Sequence, residues 1–221
     1  MRSQPSRVRR NARNGRGAPI KRSHPIAGPM KHPLLTAHLM LRRWREADRE
    51  PFARMNADPL VMRYFLASLT RAESDALIDR IEARIQERGW GLYAAELRET
   101  GRFIGFIGLS SPGPNLPIYP CVEIGWRLDA EFWNQGLATE GAREVLRHAD
   151  EELNVPEIVS FTAAINMPSR RVMEKIGLTR DVADDFDHPG IAEGHPLRRH
   201  VLYRKKAQKN VTAGRGTEHK S

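Results

Sequence analysis

EFWNQGLATE, at residues 131–140, is the stretch of sequence that decides the fold. It stands between an apolar segment that ends at Leu128 and an amphipathic segment, 136–151, with apolar residues at helical spacing. The small residues Gly136 and Ala138 let a ligand approach the backbone closely. Because the first amides of a helix lack partners and its dipole is positive there, the turn suits a diphosphate. A tight strand–helix turn with small packing residues is the alternative interpretation.

The patterns on both sides of this turn predict a mixed α+β chain. Before the turn they predict strands at 39–44, 91–97, 103–109 and 122–128, with helices after Asp48 and from Thr70 to near Gly89. After it they predict the helix at 136–151, a strand at 156–164, a helix at 168–176, and closing strands at 178–182 and 199–204. The turn lacks a P-loop lysine and a three-glycine dinucleotide fingerprint, which disfavours nucleoside triphosphates and NAD.

Basic residues concentrate at the two ends of the chain. The net charge is +9, yet segment 34–203 holds 21 basic against 26 acidic residues. We expect a basic disordered tail over 1–33, a folded domain over 34–205 and a second basic disordered tail over 206–221. A mildly acidic body disfavours nucleic acid as a partner and suits a cationic amine. For the first tail, a start at Met30, an RNA- or ribosome-binding arm and a transit peptide stay open.

Composition and cysteine usage narrow the class of protein. The sequence has no run of about 18 apolar residues and no secretory h-region, so we expect no membrane partner. The one cysteine, Cys121, cannot form an internal disulfide, and the Cys and His spacings predict no metal site. We therefore predict a cytoplasmic protein that uses no metal.

Four segments of the chain follow one another in a characteristic order: LLTAHLMLRRWREADREPFARMNADPLVMRYF (34–65), WNQGLATEGAREVLRHA (133–149), INMPSRRVMEKIGL (165–178) and HPLRRHVLYRKK (195–206). Together they resemble the GNAT family of N-acetyltransferases, in the subgroup that includes ribosomal-protein N-terminal alanine and serine acetyltransferases. The resemblance covers 34–205. It implies the GNAT fold, in which helices flank a central mixed, splayed β-sheet, and it implies acetyl-CoA as co-substrate.

The resemblance also implies where coenzyme A binds. Amides from about Gln135 to Thr139 would hold the pyrophosphate, and pantetheine would lie between strands 122–128 and 157–164. The predicted cofactor-binding residues are Trp133, Asn134, Gln135, Gly136, Leu137, Ala138, Thr139 and Asn166. Trp133 stands where the family usually has Gln or Arg, but backbone donors supply most of such a site. For Asn166, ordinary helix capping is the alternative role.

Acetyl transfer from a thioester needs a neutral amine, a polarised carbonyl and a proton for the departing thiolate. We predict Glu123 as the base, a position that the resemblance supports; an ion pair or a solvated strand face is the alternative. Many GNAT enzymes carry a tyrosine acid where this chain has Met173, which cannot donate a proton. The acid is then Ser169, a water, another tyrosine such as Tyr203, or the product ammonium.

The predicted activity is the transfer of acetyl from acetyl-CoA to a primary amine, by direct attack in a ternary complex. The acceptor is a protein N-terminus or a small amine such as a polyamine, an amino acid or an aminoglycoside. The missing tyrosine keeps a non-catalytic acyl-CoA-binding regulatory module open, and the basic ends keep a nucleic-acid binder open. We expect a monomer or a homodimer.

Overall fold

The computed structural model describes residues 32–153 and 155–206. The predicted basic tails, 1–33 and 206–221, lie almost wholly outside these residues. The described part forms one mixed sheet with helices on both faces, which confirms the predicted α+β class. No helix among the described residues has both the length and the apolar character needed to cross a membrane.

The elements follow the predicted order. The strands are β1 (Leu34–Leu35), β2 (Leu39–Arg42), β3 (Leu92–Leu97), β4 (Phe103–Ser110), β5 (Val122–Leu128), β6 (Glu157–Ala163), β7 (Thr179–Arg180), β8 (Phe186–Asp187) and β9 (Arg199–Lys206). The helices are α1 (Arg49–Ala57), α2 (Pro59–Met62), α3 (Arg71–Arg88), α4 (Leu137–His148) and α5 (Met167–Lys175). In the described part of the chain, the sheet order is β1-β2-β3-β4-β5-β6-β9-β7, and β8 also pairs with β9.

Helix α3 shows how local sequence sets an element. Thr70 caps its start, because the Thr70 side chain accepts from the amide of Glu73 and the Glu73 carboxylate accepts from the amide of Thr70. Gly89 ends it in the left-handed conformation, at φ 81°. Both ends were predicted from these residues. The strands β1 and β8 were not predicted, because two residues carry no periodicity.

The parallel strands β5 and β6 diverge soon after they meet. They pair at two positions, Val122 with Ile158 and Glu123 with Val159. Beyond these pairs, the Ser160 hydroxyl donates to the carbonyl of Ile124 at 2.9 Å. On their outer sides β5 pairs with β4 and β6 pairs with β9 along their lengths. The two strands therefore form the sides of a V that opens toward their carboxyl ends, as a splayed sheet requires.

Helices cover the two faces of the sheet differently. On one face, Phe52 of α1 packs edge-on to Phe103 and Phe106, with ring centroids 6.3 and 6.1 Å apart. On the other face, α4 approaches so closely that a Cβ on Gly141 would lie 2.4 Å from Cδ1 of Ile107. The face under α4 is thereby sealed next to β4.

A buried ion network fixes the start of α1 to the sheet. The guanidinium of Arg42 donates to both carboxylate oxygens of Asp48, at 2.7 and 2.8 Å, and to Glu96 at 2.7 Å. All three side chains are buried. Two carboxylates thus surround one buried cation, the arrangement that compensates for its lost hydration.

Gly108 provides a test of the sheet packing. A Cβ there would lie 2.1 Å from the carbonyl oxygen of Gly91 and 2.8 Å from Cα of Leu92, both on the neighbouring backbone. Gly108→Ala should therefore lower the free energy of unfolding by about 1–3 kcal/mol, measured by urea denaturation. The control is Gly113→Ala, where a Cβ meets nothing within 4 Å, and its change should stay within about 0.5 kcal/mol. Equal losses would contradict the close approach.

Candidate functional site

The predicted cofactor turn is a rigid connection between β5 and α4. The indole N–H of Trp133 donates to the carbonyl of Leu128 at 2.8 Å, and the amide of the Gln135 side chain donates to the carbonyl of Glu131 at 2.9 Å. Asn134 and Gly136 have positive φ angles of 62° and 83°. The side chains of Trp133 and Gln135 therefore bond to the backbone that precedes the turn and hold its shape.

The backbone amides of this turn lack partners. None of the six N–H groups from Asn134 to Thr139 donates to an acceptor within residues 32–153 and 155–206, and the first helical bond runs from Glu140 to Gly136. The side chains of Leu137 and Thr139 are buried, so these residues offer only their backbone. Consecutive unpaired amides at a helix start, with left-handed residues before it, form a concave anion site. A diphosphate fits this arrangement.

Asn166 and Ser169 lie on the opposite side of the V, after β6. The Asn166 carbonyl oxygen accepts from the amide of Ser169 at 3.3 Å, and its NH₂ group donates to the hydroxyl of Thr162 at 2.9 Å. This is the helix-capping role that the sequence left open. The Ser169 hydroxyl is partly buried and makes no hydrogen bond within the described residues. The predicted cofactor contact of Asn166 stays a prediction.

Glu123 lies where β5 and β6 are still paired, on the face that α1 covers. It is only partly exposed, and one carboxylate oxygen accepts from the hydroxyl of Ser110 at 2.9 Å. Burial raises the pKa of Glu123 from its ordinary value near 4.5 to about 7, although the Ser110 hydrogen bond opposes the rise. A Cβ built on Gly125 would meet only Glu123 Oε1, at 3.8 Å, so space is open beside this carboxylate.

The structure narrows the possible proton donors. Met173 is fully buried in the core. The hydroxyl of Tyr203 is buried too and donates to Glu174 at 2.9 Å. Burial also raises the pKa of Cys121 to about 11, which keeps it a thiol at neutral pH. The Tyr203 hydroxyl thus donates to a carboxylate and the Cys121 thiol is held protonated, whereas the Ser169 hydroxyl makes no hydrogen bond within the described residues.

Two features of the site were missed at the level of sequence. The first is the segment 63–65, which follows α2 and touches both sides of the V. Arg63 lies over the ring of Trp133 at 4.9 Å, and Tyr64 packs on the apolar cluster of Ala163, Ile191 and Leu197. In the sequence this segment is only the end of one motif, and no pattern within it indicates these contacts.

The second missed feature is Arg127, on the same face of β5 as Glu123. Its guanidinium donates to the carbonyl oxygen of the Asn56 side chain at 2.6 Å and lies 4.2 Å from the centre of the Phe65 ring. Its distance of four residues from Glu123 on a strand was the available signal, because alternate strand residues share a face.

Metal ligation has no visible basis in the described residues. No group of three or more His, Cys, Asp or Glu there is arranged to hold an ion. His200 stacks on Phe186, with ring centroids 5.6 Å apart, and His188 lies beside it. These histidines belong to an aromatic cluster on β8 and β9.

The chain has clear relatives. Residues 38–179 match the family model described as "Acetyltransferase (GNAT) domain". The chain is 33% identical over 172 residues to the FsC-acetyl coenzyme A-N(2)-transacetylase of Aspergillus fumigatus, covering 73% of this chain and 72% of that protein. It is similar to an acetyltransferase from Agrobacterium tumefaciens, with TM-score 0.64 and 29% identity over 78% of this chain and 93% of that one.

A further solved structure shares the fold at lower identity. It is a ribosomal L7/L12 alpha-N-protein acetyltransferase in complex with coenzyme A. Its TM-score is 0.62 and its identity 16%, over 79% of this chain and 97% of that one.

The raised pKa of Glu123 predicts a pH-dependent stability. Below about pH 4.5 the carboxyl is neutral in both states; as pH rises through 7 the folded protein must ionise a buried group, and stability falls. Glu123→Gln removes this penalty and keeps an acceptor for Ser110. Its free energy of unfolding should exceed that of the wild type by roughly 1–3 kcal/mol at pH 9, with near equality at pH 4.

Urea denaturation at the two pH values measures this difference. The control, Glu99→Gln, removes a charge from an exposed turn position. If the free energy of unfolding depends on pH equally in both variants, burial does not raise the pKa of Glu123.

Proposed function

Since this chain belongs to the GNAT acetyltransferase family and is an acetyl-CoA-dependent acyltransferase, we propose that it transfers acetyl directly to a primary amine in a ternary complex. One observation carries the proposal: the turn with unpaired amides directly follows the strand, β5, that carries the half-buried carboxylate of Glu123 beside the V. We assign the catalytic domain to 34–205.

The cofactor is held, on this proposal, mainly by backbone. The amides from Gln135 to Thr139 donate to the pyrophosphate, with Asn134 and Gly136 setting the curvature of the turn. Trp133 supports the turn from below. Pantetheine lies between β5 and β6, where the strands no longer pair with each other, and Asn166 lines its far end.

The packing of Gly141 seals the face of the sheet under α4. The acceptor therefore approaches from the opposite face. Acetyl-CoA supplies an activated thioester carbonyl. An ammonium group must lose a proton before it can attack, and Glu123 takes that proton through a water in the space over Gly125. A carboxyl with a pKa of about 7 is well matched to this task at neutral pH.

Two further groups complete the proposed chemistry. Backbone amides of β5 that β6 no longer reaches polarise the thioester carbonyl. Ser169 donates the proton that the departing thiolate needs, because its hydroxyl has no other partner in the described residues. The acceptor amine belongs to a peptide N-terminus or a small molecule; one relative is named for transfer to an N(2) position and one fold neighbour for a protein α-amino group.

Gly136 provides a test of the cofactor site. Within the described residues a Cβ there meets no atom closer than 4 Å. On the proposed function, it would take up room next to the amides that hold the pyrophosphate. Gly136→Ala should raise the Kd for coenzyme A by at least about 10-fold, or 1.4 kcal/mol, in isothermal titration calorimetry.

Gly101→Ala is the matched control. Gly101 has φ 68° and an equally free Cβ position, so alanine suffers the same left-handed strain there. Its Kd for coenzyme A should stay within about 2-fold of the wild type. If both variants bind coenzyme A equally well, the turn does not hold the cofactor.

The pH profile provides a test of the base. With acetyl-CoA and a panel of peptide N-termini, polyamines and aminoglycosides read by mass spectrometry, kcat/KM for an accepted amine should rise through an apparent pKa near 7. Glu123→Gln should lower kcat at least about 100-fold while coenzyme A still binds.

Ser110→Ala refines the assignment of this limb. Loss of the Ser110 donor should move the rising limb to higher pH, because that hydrogen bond lowers the pKa of Glu123. Ser111→Ala, at the next position, should leave it in place. If neither Ser110→Ala nor Glu123→Gln changes the rising limb of the pH profile, that limb reports the titration of another group.

A further inference from the structure

Arg127 is a cation that the folded chain leaves without a carboxylate. Within residues 32–153 and 155–206, its guanidinium makes one hydrogen bond, to Asn56, and no ion pair. Its Nε is buried and donates to no group there. The rings of Phe65 and Phe106 lie 4.2 and 5.5 Å from its central carbon. Burial lowers the pKa of Arg127 to about 10, so the side chain stays charged at neutral pH.

Arg42, the buried arginine next to α1, differs from the half-buried Arg127. Arg42 has two carboxylates, Asp48 and Glu96, on its guanidinium. A cation removed from water without such a partner is destabilising.

The fold does not require the charge of Arg127. Asn56 is already held by its own donor bond to the hydroxyl of Ser74, at 3.1 Å. A neutral donor at position 127 would serve Asn56 equally well. The cation therefore points to a ligand that supplies the missing anion.

Arg127 lies on the track along which the acceptor would approach. Glu123, Gly125 and Arg127 alternate along β5 and share one face, at steps of about 7 Å. The space over Gly125 is open next to Glu123. The proposed base Glu123, the open position over Gly125 and the cation Arg127 thus follow one another along β5. The ring of Phe65 lies next to Arg127.

We propose that the acceptor carries a carboxylate that Arg127 binds while the acceptor's amine lies over Gly125, beside Glu123. This inference rests on the proposed function and names its substrate class. The spacing of about 7 Å exceeds that in an α-amino acid, whose amine and carboxylate share one carbon. It suits a longer amino acid or a peptide N-terminus followed by an acidic residue, and the planar guanidinium matches a carboxylate with two parallel hydrogen bonds.

Matched acceptor pairs test the proposal and separate the two sources of carboxylate. One arm compares 6-aminohexanoate with its amide, and the other compares the tripeptide amides Ser-Glu-Ala and Ser-Gln-Ala, at saturating acetyl-CoA. The wild type should favour the anionic member by at least about 10-fold in kcat/KM in one arm, which identifies the source. Arg127→Gln should abolish that preference and Arg127→Lys should keep part of it.

Arg98→Gln is the control for the loss of one positive charge, since Arg98, directly after β3, is exposed and within the described residues donates only to backbone carbonyls. It should retain the full preference of the wild type. A readout without turnover is the thermal shift from the acetylated products, where the anionic product should stabilise the wild type more than its amide does.

Three outcomes would overturn the proposal. The wild type accepts anionic and neutral amines equally in both arms, a result that needs no variant to fold. Alternatively, Arg127→Gln lowers turnover of both members of a pair alike, which assigns Arg127 to the support of Asn56 alone. Finally, coenzyme A binds but no amine in any panel is acetylated, in which case the proposed function itself fails and this inference with it.

Discussion

The site depends on one constraint: β5 and β6 pair over two residues and then separate. An unpaired backbone amide or carbonyl is costly in a protein interior, so a sheet does not open at its centre without support. Here the support comes from outside, because β4 and β9 hold the outer edges of the two strands. At the vertex of the V, the hydroxyl of Ser160 donates a hydrogen bond to a backbone carbonyl of β5. The opening is thereby a stable feature of the fold, and its unpaired backbone groups are available to a ligand.

The two faces of the sheet give this opening a direction. Gly141 lets α4 lie directly on β4, and the start of α4 follows the turn with unpaired amides. The opposite face, under α1, keeps Glu123 half-buried and leaves space above Gly125. The turn with unpaired amides and the Glu123 carboxyl thus lie after and on the same strand but face different sides of the sheet. In the proposed ternary complex, this separation lets the two substrates reach the V from different sides.

Much of this architecture followed from local sequence. The capping pair Thr70 and Glu73 and the glycine at position 89 placed α3, and the small residues at 136 and 138 marked the turn before α4. The GNAT family, predicted from four motifs, was confirmed. Strand alternation placed Glu123 on β5 but could not say what would surround it, because exposure depends on the helix that covers the face.

The sequence does not show which distant residues become the hydrogen-bond or ion-pair partners of a given side chain. The residue types of Asn166 and Gln135 suggested contacts with a ligand. In the structure the side chain of Asn166 caps α5, and that of Gln135 donates to the carbonyl of Glu131 within the turn. Nothing in the sequence distinguishes Arg127 from the other basic residues. The structure shows that its hydrogen-bond partner is the amide of Asn56 and not a carboxylate. Asp184 and Asp187 likewise form ion pairs with two arginines of β9, Arg204 and Arg199, a pairing that no local pattern indicates.

The segment 63–65 contacts both sides of the V through its side chains. Tyr64 rests against the β6 side, while Phe65 and Arg63 rest against β5 and its following turn. Among the described residues, no backbone hydrogen bond joins this segment to a strand, so on the proposed function an exchange of these three side chains would change the access to the V while β5 and β6 kept their shape. Such a division lets a lineage alter which molecules are admitted without rebuilding the chemistry within.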